Sequence, residues 1–144
     1  MKTLASILVA TVLLSSPAFA DAPHMRMCNG SKNTPTKTCL VDGDTLWLNG
    51  ENIRLKDFDT PEPVSKICGG AREVALAHRA SARMLEILNG NAWTIKRFGH
   101  ERGGRGKRTL ATIYVNGRDV GDILISERLA RKWPNGDEWW CKFP

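Results

Sequence analysis

Residues 38–58 read TCLVDGDTLWLNGENIRLKDF, and three β-prone runs can be cut from them. Thr38 to Val41 and Thr45 to Leu48 are parted by Asp42-Gly43, and Asn49-Gly50 then turns the chain into a third run, Asn52 to Phe58. Asn-Gly between two such runs is a strong hairpin signal, because both residues of a tight type I′ turn need positive φ. Three antiparallel strands are therefore expected. Downstream, Val74, Ala77, Ser81, Met84, Leu85 and Leu88 recur at helical spacing and stop at Asn89-Gly90, which predicts the longest helix over Ala71 to Leu88. Ala92 to Phe98 and Leu110 to Val115 read as two more strands around a glycine-rich basic loop. Asn116-Gly117 precedes a second amphipathic helix carrying Val120, Ile123, Leu124 and Leu129. Three strands, a helix, two strands and a helix is the order of an OB-fold: an α+β, five-stranded Greek-key β-barrel with two or three helices, whose groove often takes oligonucleotides.

At 144 residues, 42% hydrophobic and 25% charged, the chain suits one compact domain and excludes a disordered tail or a large multidomain enzyme. Its net charge of +6 favours a polyanionic partner over an acidic protein or a neutral sugar. Met1 to Ala20 holds one charge, Lys2, then the apolar run Leu4 to Leu14 and Ala18-Phe19-Ala20. That run is shorter than the roughly 20 residues of a membrane helix and reads as a cleaved signal peptide, with the cut before Asp21. A secreted or periplasmic protein without a membrane anchor is expected, as a monomer.

Cys28, Cys39, Cys68 and Cys141 lack the paired short spacings of a zinc site. Export permits disulfides, each worth about 2–4 kcal/mol when well placed. Of three connectivities, Cys28 with Cys39 and Cys68 with Cys141 is favoured: the first clips the Gly30 to Thr36 loop, and the second ties down a Trp-rich end.

The chemistry concentrates in Val41-Asp42-Gly43-Asp44-Thr45, Ile53-Arg54-Leu55 and Asp59-Thr60-Pro61-Glu62. Asp44 and Asp59 begin and end a pair of hairpin arms, so their carboxylates can converge on one hard cation. Taken singly, each fragment reads as structural, since Asp-Gly suits any turn and Asp-Thr-Pro-Glu suits a helix entry.

Taken in order, and with Arg108-Thr109-Leu110-Ala111 and Val120-Gly121-Asp122-Ile123-Leu124 before Leu129-Ala130, these stretches resemble the thermonuclease, or staphylococcal nuclease-like, family from about Cys39 to Trp133. The resemblance implies an OB barrel that cleaves DNA and RNA with calcium and leaves 3′-phosphate ends. By position it implies that Asp44 and Asp59 bind Ca2+ through carboxylates and Thr60 through its backbone carbonyl. Oxygen-only ligation suits that ion. Glu62 would be the general base on the attacking water, a role typically worth about 10² to 10⁴ in rate. Arg54 and Arg108 would donate to phosphate oxygens as charge grows. The corresponding division is a signal peptide at 1–20, an N-terminal extension at 21–36, a nuclease-like domain at 37–133 and a tail at 134–144.

Between Lys96 and Arg108 lie Lys96, Arg97, Arg102, Arg105, Lys107 and Arg108 against one acid, Glu101. Such a loop beside a groove is expected to hold a phosphate backbone, with Arg105 and Lys107 as nucleic-acid-binding residues. Two positions depart from the family pattern. Gly106-Lys107 stands where members usually have an aromatic and then glycine, and Arg128 stands where they usually have glycine after a helix. His24, His78 and His100 are assigned to the surface. The alternative to a nuclease is a catalytically inactive OB-fold nucleic-acid-binding protein, which would be expected to lose some of Asp44, Asp59, Glu62, Arg54 and Arg108. A cationic membrane-active protein would need a basic amphipathic helix that the sequence lacks.

Overall fold

The structure is a computed structural model describing residues 22–30, 32–64, 68–102 and 107–142. The expected leader, its cleavage point, Arg105 and Gly106 lie outside the described residues.

The chain runs β1 (Cys39–Leu40), β2 (Thr45–Leu48), β3 (Glu51–Leu55), β4 (Phe58–Asp59), α1 (Gly70–Gly90), β5 (Trp93–His100), β6 (Thr109–Val115), β7 (Arg118–Asp119), α2 (Val120–Ser126) and β8 (Arg131–Lys132), with a 3₁₀ turn at Trp139–Cys141. Asn49 and Gly50 both take positive φ, at 49° and 80°, so the two-residue turn pairs Leu48 with Glu51 and Thr45 with Arg54 as the Asn-Gly signal demands. Asn116-Gly117 repeats the device, at 50° and 76°, but closes a β6–β7 hairpin before α2 begins. That hairpin escapes sequence reading because a two-residue strand shows no periodicity.

The main sheet is mixed, in the order β1-β2-β3-β6-β5 with β7 beside β6, and β3 pairs β6 in parallel. The expected barrel is corrected here: among the described residues the ladder stays open, with no pairing of β1 to β5. The reason is local. The outer edge of β1 is taken by the N-terminal arm, where Leu40 N–H donates to Arg26 O and Cys28 N–H to Leu40 O, both at 2.8 Å, in a parallel bridge of Met27 to Leu40.

Strand alternation turns Ile53 and Leu55 into the core and Arg54 to the other face. Helix α1 presents Leu76, Ala80, Met84, Ile87 and Leu88 to the same core as Leu46, Ile53, Phe58, Ile113 and Leu124. Val74, counted on the apolar face from sequence, is only half-buried. Helix α2 ends sooner than expected. Arg128 N–H bonds Ile125 O and Leu129 N–H bonds Leu124 O, a Schellman closure that needs a left-handed residue, and Arg128 supplies it at φ 57°. Leu129 therefore reaches the core from beyond the helix. Disulfides join Cys28 to Cys39 and Cys68 to Cys141, in the expected pairing. The second spans 73 residues, and in the chain-entropy picture a loop that long is worth about 4 kcal/mol. No helix among the described residues is long and apolar enough to cross a membrane, and His24, His78 and His100 are exposed.

Candidate active site

The turn Asp42-Gly43-Asp44 delivers the first carboxylate. Asp42 Oδ1 accepts the Asp44 N–H at 3.1 Å, tightening the turn. Gly43 has no room for a side chain: a Cβ there would lie 2.7 Å from Thr60 Cγ2, so glycine allows this turn to pass directly against Thr60. Asp44 is 1% exposed. Its Oδ1 accepts from Thr45 Oγ1 at 2.9 Å and from Arg54 Nη1 at 2.5 Å, and its Oδ2 accepts from Thr60 N–H at 3.0 Å and Thr60 Oγ1 at 3.2 Å. Burial, and then the neighbouring Asp42 charge, still pushes the Asp44 carboxyl up to about 7, against the pull of Arg54 and the hydrogen bonds.

Arg54 leaves β3 on the side away from the core and forks across two acids. Nη1 meets Asp44, and Nη2 meets Asp59 Oδ1 at 2.9 Å. Burial works against its charge, but Asp44 and Asp59 together hold the guanidinium above its usual range. The other oxygen of Asp59 accepts from Arg131 Nε at 2.9 Å, across the β4–β8 pair. Arg131 is itself buried and also donates to Gly136 O at 2.8 Å and Glu138 Oε1 at 2.7 Å. One guanidinium thus gathers the two expected metal ligands and a second braces one of them.

Glu62 follows on the segment after β4 and is exposed. Its N–H donates at 3.1 Å to Glu73 Oε1, and the other Glu73 oxygen accepts the Gly69 N–H at 2.9 Å. Glu73, 2% exposed in the first turn of α1, thereby pins both ends of the connection that carries Glu62. Partial burial, then the charges of Asp44 and Asp59, raise the Glu62 carboxyl above the usual carboxylate range, with Arg54 pulling the other way.

Arg108, just before β6, points to another acid: Nε and Nη2 both bond Glu101, at 2.8 Å each. Arg54 and Arg108 nevertheless line one cavity of about 330 Å³, together with Glu101, Phe58, Leu110 and Trp133. Lys107 is exposed beside it. Of the basic residues between Lys96 and Arg108, Lys96 and Arg97 lie in β5, Arg97 forks onto Glu51 at 2.7–3.2 Å, and Arg108 is held by Glu101.

Glu73, Glu101 and Arg131 were not singled out from sequence as site residues. Glu101 carried a faint signal as the one acid in a basic run, and Glu73 as an acid at a helix start; Arg131 carried none. The one group of three His, Cys, Asp or Glu side chains within 4.8 Å among the described residues is Cys68, Glu73 and Cys141, and its sulfurs are spent on a disulfide. Asp44 and Asp59 fit a hard cation by a different test. Their donors are all oxygen, and the burial that lifts Asp44 is a desolvation that a cation taking its oxygens over from Arg54 would relieve.

The family model described as staphylococcal nuclease homologue matches residues 52–138, from β3 to Glu138. No curated protein matches the chain.

Proposed function

Because this chain belongs to the staphylococcal nuclease homologue family, we propose that it is a secreted or periplasmic calcium-dependent nuclease that hydrolyses phosphodiester bonds of DNA and RNA and leaves 3′-phosphate ends. The observation that carries this reading is the Arg54 fork joining Asp44 and Asp59 beside Glu62, a charge pattern suited to a phosphate and a cation together. Asp44, Asp59 and the Thr60 carbonyl would hold calcium, which when bound supplies positive charge against the phosphate.

The remaining chemistry belongs to the chain. Water oxygen bonds to phosphorus and its proton passes to Glu62, whose raised pKa makes it a better base near neutral pH than an ordinary carboxylate. The bond from phosphorus to the 5′ oxygen breaks, and that oxygen takes up a proton as the 3′-phosphate is left. Arg54, once its Nη groups exchange Asp44 and Asp59 for substrate, donates to the non-bridging oxygens as their charge grows. Arg108 does the same once it exchanges Glu101 for substrate, and it assists the departing oxygen. Arg105 and Lys107 hold neighbouring phosphates through charge. Residues 1–20 are read as the export signal, 21–36 as an extension, 37–133 as the nuclease domain and 134–144 as its tail.

The test is digestion of DNA and RNA by the mature protein with calcium and with a chelator. Cleavage is expected with calcium only, and Asp44→Ala is expected to be inactive in both. Undiminished cleavage in chelator refutes the metal assignment, whereas DNA binding without cleavage in calcium makes the protein a binder.

A further inference from the structure

Arg83, Arg97 and Arg108 each close the edge formed by Nε and Nη2 on a single carboxylate. Arg83 grips Glu127 at 2.8 and 2.9 Å, Arg97 grips Glu51 at 2.7–3.2 Å, and Arg108 grips Glu101 at 2.8 Å. Such a fork is the arrangement in which a guanidinium and a carboxylate bind most strongly. Arg131 splits the same edge between two acids. Its Nε donates to Asp59 Oδ2 at 2.9 Å, whereas its Nη2 donates to Glu138 Oε1 at 2.7 Å.

The surroundings hold Arg131 in that pose. It is buried, its Nη1 donates to Gly136 O at 2.8 Å, and its guanidinium carbon lies 5.1 Å from the centre of the Trp133 ring and 5.9 Å from that of a Trp140 ring. Gly136 N–H donates to Lys132 O at 2.8 Å, which folds the chain back over β8. The side chain of Glu138 is 50% exposed, but its backbone is fixed. Its carbonyl accepts the Cys141 N–H at 2.9 Å, Trp140 is buried in the core, and Cys141 is joined to Cys68. The chain end therefore carries one carboxylate to Arg131 and keeps it there.

Asp44, Arg54, Asp59, Arg131 and Glu138 form one unbroken chain of ion pairs, three acids against two bases, with a formal charge of −1. Without Glu138 the same chain is neutral. Asp59 is the member most exposed to that change, since its Oδ1 already accepts from Arg54 Nη2. If Arg131 closed its edge on Asp59 as the other three arginines close theirs, the carboxylate would be gripped by two guanidinium groups at once. A cation must displace such donors to reach the oxygens, and it gains less from a carboxylate whose charge is already matched.

We propose that Glu138, acting through Arg131, sets the calcium affinity of the site: by taking Nη2 it limits Arg131 to one bond with Asp59 and leaves that carboxylate open to a cation. Glu138 is a positioning residue and not a ligand. The proposal rests on Asp44 and Asp59 being the calcium ligands. It gives the chain end a part in the chemistry, because a half-exposed side chain near the disulfide of Cys141 controls how tightly a buried ligand is claimed by its neighbour.

The experiment titrates calcium into the mature protein and its E138A variant by calorimetry, with no nucleic acid present. E138A is expected to bind calcium roughly five- to tenfold more weakly, because Asp59 gains a second charge-assisted bond from Arg131. The calcium concentration giving half-maximal DNA hydrolysis should rise by the same factor, while the thermal unfolding midpoint in chelator, which a merely structural role would lower, should hardly move. The same substitution is then made in an R131M background. With the guanidinium gone, loss of Glu138 is expected to change calcium affinity by less than roughly twofold. An equal loss in both backgrounds means that Glu138 acts as a distant charge, and it overturns the proposal. Unchanged affinity in E138A overturns it too. Should E138A or the R131M background misfold, E138Q keeps an acceptor for Nη2 without the charge and is expected to fall roughly two- to threefold; an affinity equal to that of the unsubstituted protein counts against the proposal. If the unsubstituted protein binds no calcium, the metal assignment falls together with this proposal, whereas equal binding by it and E138A removes the proposal alone.

Discussion

Freeing Arg108 from Glu101 should make the enzyme faster. Both Arg108 bonds to Glu101 are 2.8 Å, and the side chains are 31% and 28% exposed, so the pair is well formed but still partly open to solvent. Two unit charges about 4 Å apart attract by about 1–4 kcal/mol as the effective dielectric falls from 80 to 20. Side-chain ordering and solvent reduce pairs of this exposure to about 0.2–1 kcal/mol net. A phosphate that recruits Arg108 must first give that amount back, so Glu101→Gln should raise kcat/KM by about 1.4-fold to fivefold. The assay is the initial rate on single-stranded DNA well below KM, at fixed ionic strength near 0.1 M. Because the substitution also removes a negative charge near a polyanion, it is repeated in an Arg108→Lys background. There the forked pair no longer exists and the gain should be smaller. A tenfold loss with Glu101→Gln would mean that Glu101 aims Arg108 productively, and an identical gain in both backgrounds would mean that Arg108 is not the group being released.

Three further outcomes are expected. Arg108→Lys keeps the charge but loses the planar fork, so kcat should fall about 10² to 10³ with little change in the salt dependence of DNA binding; a changed salt slope with intact kcat would make it an ordinary backbone contact. Glu73→Gln puts an N–H₂ group against either the Glu62 or the Gly69 N–H and should cost about 1–3 kcal/mol in urea unfolding, together with kcat. Unaltered stability would show that these bonds do not hold the Glu62 segment. Arg128→Gly relieves a left-handed arginine worth about 1 kcal/mol but loses its stacking over Trp139, at 5.4 Å and worth about 0.5–1 kcal/mol, so thermal unfolding should barely move. A loss above about 2 kcal/mol would identify the arginine stack as the main anchor of the chain end.

What could be read in advance follows from how local the cause is. The β2–β3 hairpin was legible because Asn49-Gly50 encodes its turn in two residues. Asp44, Asp59 and Thr60 were legible as a group through the family resemblance, and the structure brings them together around Arg54. The cysteine pairing followed from asking which loops needed clipping. Strands of two residues, such as β4, β7 and β8, have no period to detect. The open sheet was hidden in Met25 and Met27, two apolar residues in a polar arm whose role depends on Asn89 and β1. Glu101 and Arg131 were missed for the same reason. Each acts across a turn or between strands, and neither residue type nor spacing fixes its partner.

The sheet ends in two unlike margins, and they differ in what protects them from other molecules. At β5 the margin carries Lys96 and Arg97, and its register breaks between Arg97 and His100, so charge and irregular geometry make a poor template for a second chain. At β1 there is no such defence, only the arm from Arg26 to Cys28 laid along the strand. A protease that trims the arm once the Cys28–Cys39 disulfide is reduced would leave most of the core untouched and uncover the amides of Leu40 and its neighbours. The first symptom of that damage should therefore be self-association, seen as growth in particle size at high concentration, before any loss of the folded state.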